Sequence, residues 1–358
     1  MIAKTCGCSR KIWNLMLADK EEYYSANKAM LSITPAAYKA EYPYLKEVDS
    51  LALCNAQLNL DKAYGNFFDG RCGFPKFKKK RHDISYTTNF VNGNIAIFEK
   101  GIKLPKLGIV RAVIHRPPLG KLKSVMVSKD AAGRYFASVL FEYEADIEYT
   151  DIRTHIGLDY KSDGLYVASD GSCPQMPHYY RQTEDKLSRA QRRLSRKKKG
   201  SANYEKQRIK VARLHARAAD QRKDFLHKLS SGITNRYDLI SVEDLDMKAI
   251  SGSLHLGKST FDNGYGMFRN MLEYKQNDKG HYYVEIDKWY PSSQLCHECG
   301  YKNSATKNLS VRKILCPCCG TVYDRDLNAA MNIDRAGTAR IYACGHHLVM
   351  GETGSLAI

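Results

Sequence analysis

The chain lacks any apolar run that reaches the ~18 residues needed to span a bilayer. It also lacks the charged, apolar and small-residue order of a secretory leader at its start. Neither a membrane protein nor an exported one is expected, and a cytoplasmic, nucleoid-associated location is. Acidic residues are scarce: 38 Asp and Glu stand against 56 Lys and Arg, a formal net charge of +18. That imbalance excludes a self-neutralised surface and points to a polyanionic partner, most simply nucleic acid. Cysteines number 11, but Cys6, Cys8, Cys54, Cys72, Cys173 and Cys344 have no framework spacing. A disulfide-stapled scaffold is excluded, and a reducing compartment fits. There is no internal repeat and no low-complexity tract. With 358 residues, 43 % of them hydrophobic, the chain can build two or three globular domains.

What is present is concentrated. Cys296 and Cys299 flank two residues and precede Gly300; Cys316 and Cys319 do the same before Gly320. The 16 residues between the pairs fit the four-thiolate pattern of a structural zinc site. Such a site is tetrahedral and closed, so it holds structure rather than performing catalysis. Cys318 competes with Cys319 as the fourth ligand, and the position of Gly320 favours Cys319. Between Lys186 and Lys223 stand fifteen Lys and Arg against Glu205 and Asp220, which is +13 of the total +18. Thin apolar stripes predict two helices there, broken near Gly200. One sign of charge in such excess argues against a coiled coil and for a clamp on backbone phosphates, with Arg192, Arg193, Arg196, Lys197, Lys198 and Lys199 at its centre. Lys78, Lys79 and Lys80, in "FPKFKKKR", form a second basic segment.

Elsewhere the texture alternates. Residues 11–68 read as helical, and residues 84–143 as short strands that suggest a small β-barrel, ending in a hairpin with Tyr135, Ala137, Val139 and Phe141 on one face. Strands are expected over Ile156–Asp159, Leu165–Ala168 and Leu239–Val242, and a helix over Asn263–Gly280 with Phe268, Met271 and Leu272 inward. Three carboxylates share this context. Asp159 and Glu243 end apolar strands, and Asp326 begins a helix ahead of the small pair Ala329–Ala330. Strand ends and helix starts can converge on one edge of an open α/β sheet. Three oxygen ligands suit Mg²⁺, and a pair of such ions ~4 Å apart supports phosphodiester cleavage. Asp324 competes with Asp326 as the third ligand.

The order of "GLDYKSDGLYVASDG", "SVEDLDM" and "DRDLNAAMNI", with four-cysteine knuckles before the third, resembles the split RuvC nuclease of the TnpB (OrfB) family. That family consists of transposon-encoded relatives of type V CRISPR effectors. "GCSRKIWNLML", "FPKFKKK", "IKLPKLG", "SRKKKGSANYEK", "QRKDFLHKL", "MLEYK" and "YPSSQLCHECG" extend the resemblance over nearly the whole chain. It implies an RNA-guided DNA endonuclease, also called a transposase, with Asp159, Glu243 and Asp326 as catalytic Mg²⁺ ligands. Its partners are then a guide RNA from the transposon end and a double-stranded DNA target, with no membrane and an oligomeric state left open. It implies an α/β chain with a helical recognition-type region over 1–82 and a wedge-type β-barrel over 83–150. An RNase-H-like core follows over 151–290, carrying basic helices at 183–230, then a zinc ribbon over 291–322, with the last core segment and tail over 323–358. Two departures stand out. Relatives place a strand with an "FR-x-Y-P" segment ahead of the "GCSR" helix, whereas Gly7–Arg10 nearly follows Met1, so a truncated N-terminus is expected. Lys161 stands where many relatives carry glycine. A non-cleaving, nucleic-acid-binding regulator or relic and a strand-transferring transposase are the competing readings.

Overall fold

The computed structural model describes residues 1–80, 84–247, 263–307 and 312–344. It divides into two compact units, Met1–Ala145 and Asp146–Ile358.

In the first unit, helix α1 (Ile2–Asn27) buries Cys8, Ile12, Trp13, Met16 and Leu17, spaced by the three and four residues of one helical face. It ends on Lys28 in the left-handed region, whose N–H returns to the Tyr24 carbonyl. Helix α2 (Ser50–Phe68) starts where the Asp49 carboxylate accepts from Leu51 N–H at 3.0 Å, and it turns Leu53 and Leu60 onto α1. Leu58 of the same helix is exposed. "FPKFKKK" runs back along α1, because Trp13 Nε1 donates to the Lys76 carbonyl and Asn14 exchanges two hydrogen bonds with the Lys78 backbone.

Among the described residues, six strands complete this unit: β1 (Ser85–Asn89), β2 (Ala96–Phe98), β3 (Gly101–Leu104), β4 (Gly108–Arg111), β5 (Lys121–Lys129) and β6 (Tyr135–Glu142). Where a barrel is expected, they form two three-stranded antiparallel sheets, β1-β5-β6 and β2-β3-β4. Strands β2 to β4 are only three or four residues long, and no ladder joins the sheets among the described residues. The expected hairpin is β5–β6. Of its chosen face Val139 and Phe141 are half-buried, while Tyr135 and Ala137 are exposed.

The second unit is built on one four-stranded sheet, β10-β9-β7-β8, from β7 (His155–Tyr160), β8 (Tyr166–Ala168), β9 (Leu239–Glu243) and β10 (Tyr282–Ile286). The ladders β7–β9 and β9–β10 are parallel, and β7–β8 is antiparallel. Helix α3 (Tyr179–Ser195) and helix α4 (Ala202–Thr234) form a hairpin, with Gly200 at φ +86° in the break. Helix α5 (Tyr265–Asn277) buries Phe268, Met271 and Leu272, and helix α6 (Arg325–Ala343) closes the described chain. A short hairpin, β11 (Lys313–Leu315) and β12 (Val322–Asp324), precedes α6.

Strand alternation decides what each sheet face meets. Ile156, Leu158, Ile240 and Val242 join a core with Leu226 and Ile233 of α4 and the inner face of α5. Leu239, Val284 and Ile286 turn the other way and pack with Ile333 and Ile341 of α6. The α6 side is therefore also the side of the alternate residues Gly157, Asp159, Ser241 and Glu243. Helix and sheet approach closely there: a Cβ at Gly157 would collide with the α6 backbone at Ala330 and Asp334, and one at Gly337 would collide with Ser241. Ala329 and Ala330 fill the remainder of this contact and are fully buried.

Candidate metal centres and nucleic-acid interface

The two cysteine pairs fold alike. Cys296 N–H donates to the Tyr301 carbonyl and Gly300 N–H returns to the Cys296 carbonyl; Cys316, Thr321 and Gly320 repeat the pattern. Gly300 and Gly320 both have φ +74°, a turn that favours glycine. The four sulfurs lie within 4.8 Å of one another. Cys296 Sγ stands 3.7 Å from Cys319 Sγ, and Cys299 Sγ stands 3.6 Å from Cys316 Sγ. A disulfide would need ~2.05 Å, whereas a tetrahedron with metal–sulfur bonds of ~2.3 Å has edges of about 3.8 Å. The sulfurs therefore stand at the spacing of ligands around one ion. Cys318 is exposed and outside the group. The Thr321 hydroxyl, 3.3 Å from Cys319 Sγ, stabilises a thiolate there and pulls that thiol down to about 6.

This knuckle region is tied to α6 by two residues that the sequence reading passed over. Asn328 Oδ1 accepts from His297 N–H at 2.9 Å, and its Nδ2 donates to the Leu295 carbonyl at 2.7 Å. One turn on, Asn332 Nδ2 donates to the Ser292 and Leu295 carbonyls, both at 2.8 Å. Both side chains are buried, so their amides are spent on backbone groups that would otherwise lack partners. Their signal was an amide repeated at i and i+4 inside an otherwise apolar helical stretch.

The acids converge from three elements. Leu158 is opposite Val242 in the parallel register, so Asp159, next to last in β7, and Glu243, last in β9, stand side by side on the α6 face. Burial raises Glu243 to about 7. Burial also raises Asp159 well above the carboxylate range, and the charges of Glu243 and Asp326 push it further, with Arg325 opposing them. Asp324 and Asp326 separate clearly. Asp324 is the N-cap of α6, and its Oδ1 accepts from the N–H groups of Asp326 and Leu327 at 2.9 and 3.2 Å. Asp326 lies in the first turn and interacts with Asp159. Both of its oxygens accept from Arg312 Nη1 at 2.9 Å, a contact the sequence did not disclose. Beside Glu243, Arg269 of α5 pairs with Glu285, reaches Asp244 at 3.5 Å and donates to the Leu245 carbonyl, bracing the end of β9.

The basic residues fall in two places. Arg192, Arg193, Arg196, Lys198 and Lys199 are exposed around the α3–α4 turn, and Lys197 is half-buried. Lys78, Lys79 and Lys80 belong to the other unit; Lys78 Nζ lies 4.1 Å over the Trp13 ring, while Lys79 and Lys80 are exposed. Among the described residues no helix is long and apolar enough to cross a membrane.

Comparison with known proteins gives this arrangement a family. Residues 138–254 match the sequence family described as "Probable transposase" of the OrfB IS605 type. Residues 265–333, which carry the knuckles and the start of α6, match "Cas12f1-like, TNB domain". Residues 1–29 match an OrfB "Helix-turn-helix domain", although here Ile2–Asn27 is one continuous helix. A protein of Streptomyces pristinaespiralis named "Putative RNA-guided DNA endonuclease" is 35 % identical over 96 % of this chain and 87 % of its own length. InsQ of Escherichia coli K12, given the same description, is 32 % identical over 97 % of this chain and 90 % of its own. In fold, a Cas12f1–sgRNA–target DNA complex solved by cryo-EM covers 93 % of this chain and 81 % of its own, with TM-score 0.58 and 12 % identity. These likenesses define a mixed α/β protein of the IS605 transposon class. The chain belongs to the TnpB (OrfB) family.

Proposed function

We propose that this chain is an RNA-guided, Mg²⁺-dependent DNA endonuclease of a transposable element. The observation that carries the proposal is the side-by-side placement of Asp159 and Glu243 on the α6 face, under the charge of Asp326. The sheet order β10-β9-β7-β8 supports reading this unit as an RNase-H-like, RuvC-type core. The two sheets of the first unit stand for the wedge-type barrel. The donor set of the acid corner fits its cation: three carboxylates are hard oxygen ligands, and crowding them raises the cost of their negative charge. Asp159, Glu243 and Asp326 would hold such cations, which when bound would supply an activated water and a counter-charge for the leaving oxygen. The chain's own part is to fix the carboxylates on a rigid strand pair and a close-packed helix. The four thiols suit zinc, and the ribbon they close braces α6 through Asn328 and Asn332. The basic hairpin of α3 and α4 supplies sequence-independent hold on phosphates. A guide RNA from the transposon end then selects a double-stranded target.

The test uses purified full-length protein with its guide RNA and a matched duplex. Asp159→Ala, Glu243→Ala and Asp326→Ala should each reduce cleavage in Mg²⁺ to background while binding survives. A parent protein that binds guide and target yet never cuts would replace this reading with that of a non-cleaving regulator. Neutralising Arg192, Arg193, Lys197, Lys198 and Lys199 should flatten the salt dependence of binding by roughly one unit of slope per lost phosphate contact. An unchanged slope would leave the run a solvated surface.

A further inference from the structure

We propose that Arg312 is the resident counter-charge of Asp326 and competes with a divalent cation for that carboxylate. The inference rests on reading Asp326 as a cation ligand. Arg312 Nη1 donates to both carboxylate oxygens at 2.9 Å, so a positive charge already sits against the edge of the carboxylate that would otherwise be open to a cation. The placement is fixed by backbone. Arg325 N–H donates to the Arg312 carbonyl at 2.8 Å, and the next residue, Lys313, pairs with Asp324 in the β11–β12 ladder. Arg312 is thereby held directly across from the first turn of α6. Asp324 is committed elsewhere: its Oδ1 caps the first turn of α6, and Arg312 pairs with Asp326 instead.

The geometry also permits release. The Arg312 side chain is 63 % exposed and Asp326 22 % exposed, so the guanidinium can rotate into water while the carboxylate stays. A guanidinium and a divalent cation both carry positive charge, so they exclude each other at one carboxylate by repulsion as well as by occupancy. Coupling is reciprocal: loading the acid corner loosens Arg312, and Arg312 at Asp326 weakens loading. Arg312 is in this sense a positioning residue for the acid corner, carried by the ribbon segment rather than by the sheet.

Mn²⁺ is the probe, with free ion followed by electron paramagnetic resonance on purified full-length protein and zinc content measured on the same samples. Arg312→Gln should bind Mn²⁺ roughly three- to tenfold tighter, the range for a half-exposed charge-assisted pair. Arg312→Lys should fall between. In an Asp326→Asn background the Arg312→Gln gain should vanish. Equal or weaker affinity in Arg312→Gln with zinc intact overturns the proposal, as does a gain that persists in Asp326→Asn. If Asp159→Asn, Glu243→Gln and Asp326→Asn leave Mn²⁺ binding unchanged, the reading of the acid corner fails and the proposal falls with it. If those variants weaken binding and Arg312→Gln does nothing, only the competition is wrong.

Discussion

Four cysteines and three acids occupy neighbouring parts of one unit and meet in opposite ways. The sulfurs stand 3.6 and 3.7 Å apart across the knuckles, at the spacing of a coordination shell. Among the described residues, the cysteines are the one group of three or more ligating side chains gathered so closely. The two glycine turns bring the sulfurs together. Carboxylates resist ionisation when buried and set near one another, and Asp159 is raised by its burial first and by the charges of Glu243 and Asp326 second. The acid corner is accordingly looser, with Arg312 and Arg325 offsetting its charge. With the metals proposed above, the difference would be that between a site closed for structure and one left open for exchange.

That contrast can be broken by exchanging the roles of the two corners. Cys316→Ser should strip the zinc and unfold the ribbon, because a structural zinc site contributes folding free energy outright. Asp159→Ala should leave zinc content and the far-ultraviolet spectrum unchanged. Cys318→Ser should behave as the parent, and a Cys318→Ser protein without metal beside a Cys319→Ser protein that keeps it would reverse the ligand assignment.

A smaller effect sharpens the electrostatic side. Glu243 in the folded chain stands at about 7, against an ordinary 4.5. The folded state therefore binds a proton that the unfolded state releases. The resulting stability is full below about pH 4.5 and is lost as pH rises through 7, by at most about 3 kcal/mol. Without divalent cations, Glu243→Gln should be more stable than the parent at pH 8 and equal to it near pH 4.5. Added Mg²⁺ should shrink the difference at pH 8 by stabilising only the parent. Thermal unfolding at the two pH values decides it, and a pH-independent difference would mean that packing rather than charge governs this position. The smallest effect concerns the cap. Asp324→Ala should cost about 1 kcal/mol of stability and retain most cleavage. A variant that cuts normally as Asp326→Ala but not as Asp324→Ala would exchange the two aspartates.

Spacing made the knuckles legible, since a turn of two residues between cysteines has few other uses. The strands ending in Asp159 and Glu243 were legible because apolar runs stopped at an acid. The paired register of those strands was not, since parallel partners eighty residues apart leave no local trace. Asp324 and Asp326 were inseparable in sequence because both suit the start of a helix; only the hydrogen bonds of the cap distinguish them. The barrel expectation rested on short alternating strands, and such strands do not say whether their ladders close. Arg312 was hidden for a different reason: it faces α6 through the pairing of β11 and β12, not through proximity along the chain.

The α3–α4 hairpin has a property of length. At 1.5 Å per residue, the 33 residues of α4 make a rod about 50 Å long. Its C-terminal half is anchored in the core by Leu226 and Ile233, and Lys275 and Lys279 bind its last carbonyls and hydroxyls. The half that carries most of the positive charge lies N-terminal to that anchor, in the hairpin with α3. The charged half, about 25 Å, matches the axial rise of about seven base pairs at 3.4 Å each. If the hairpin grips phosphates as proposed, shortening α3 and α4 together by whole turns should shorten the stretch of duplex it contacts, with the salt slope of binding as the measure, while leaving the acid corner in place.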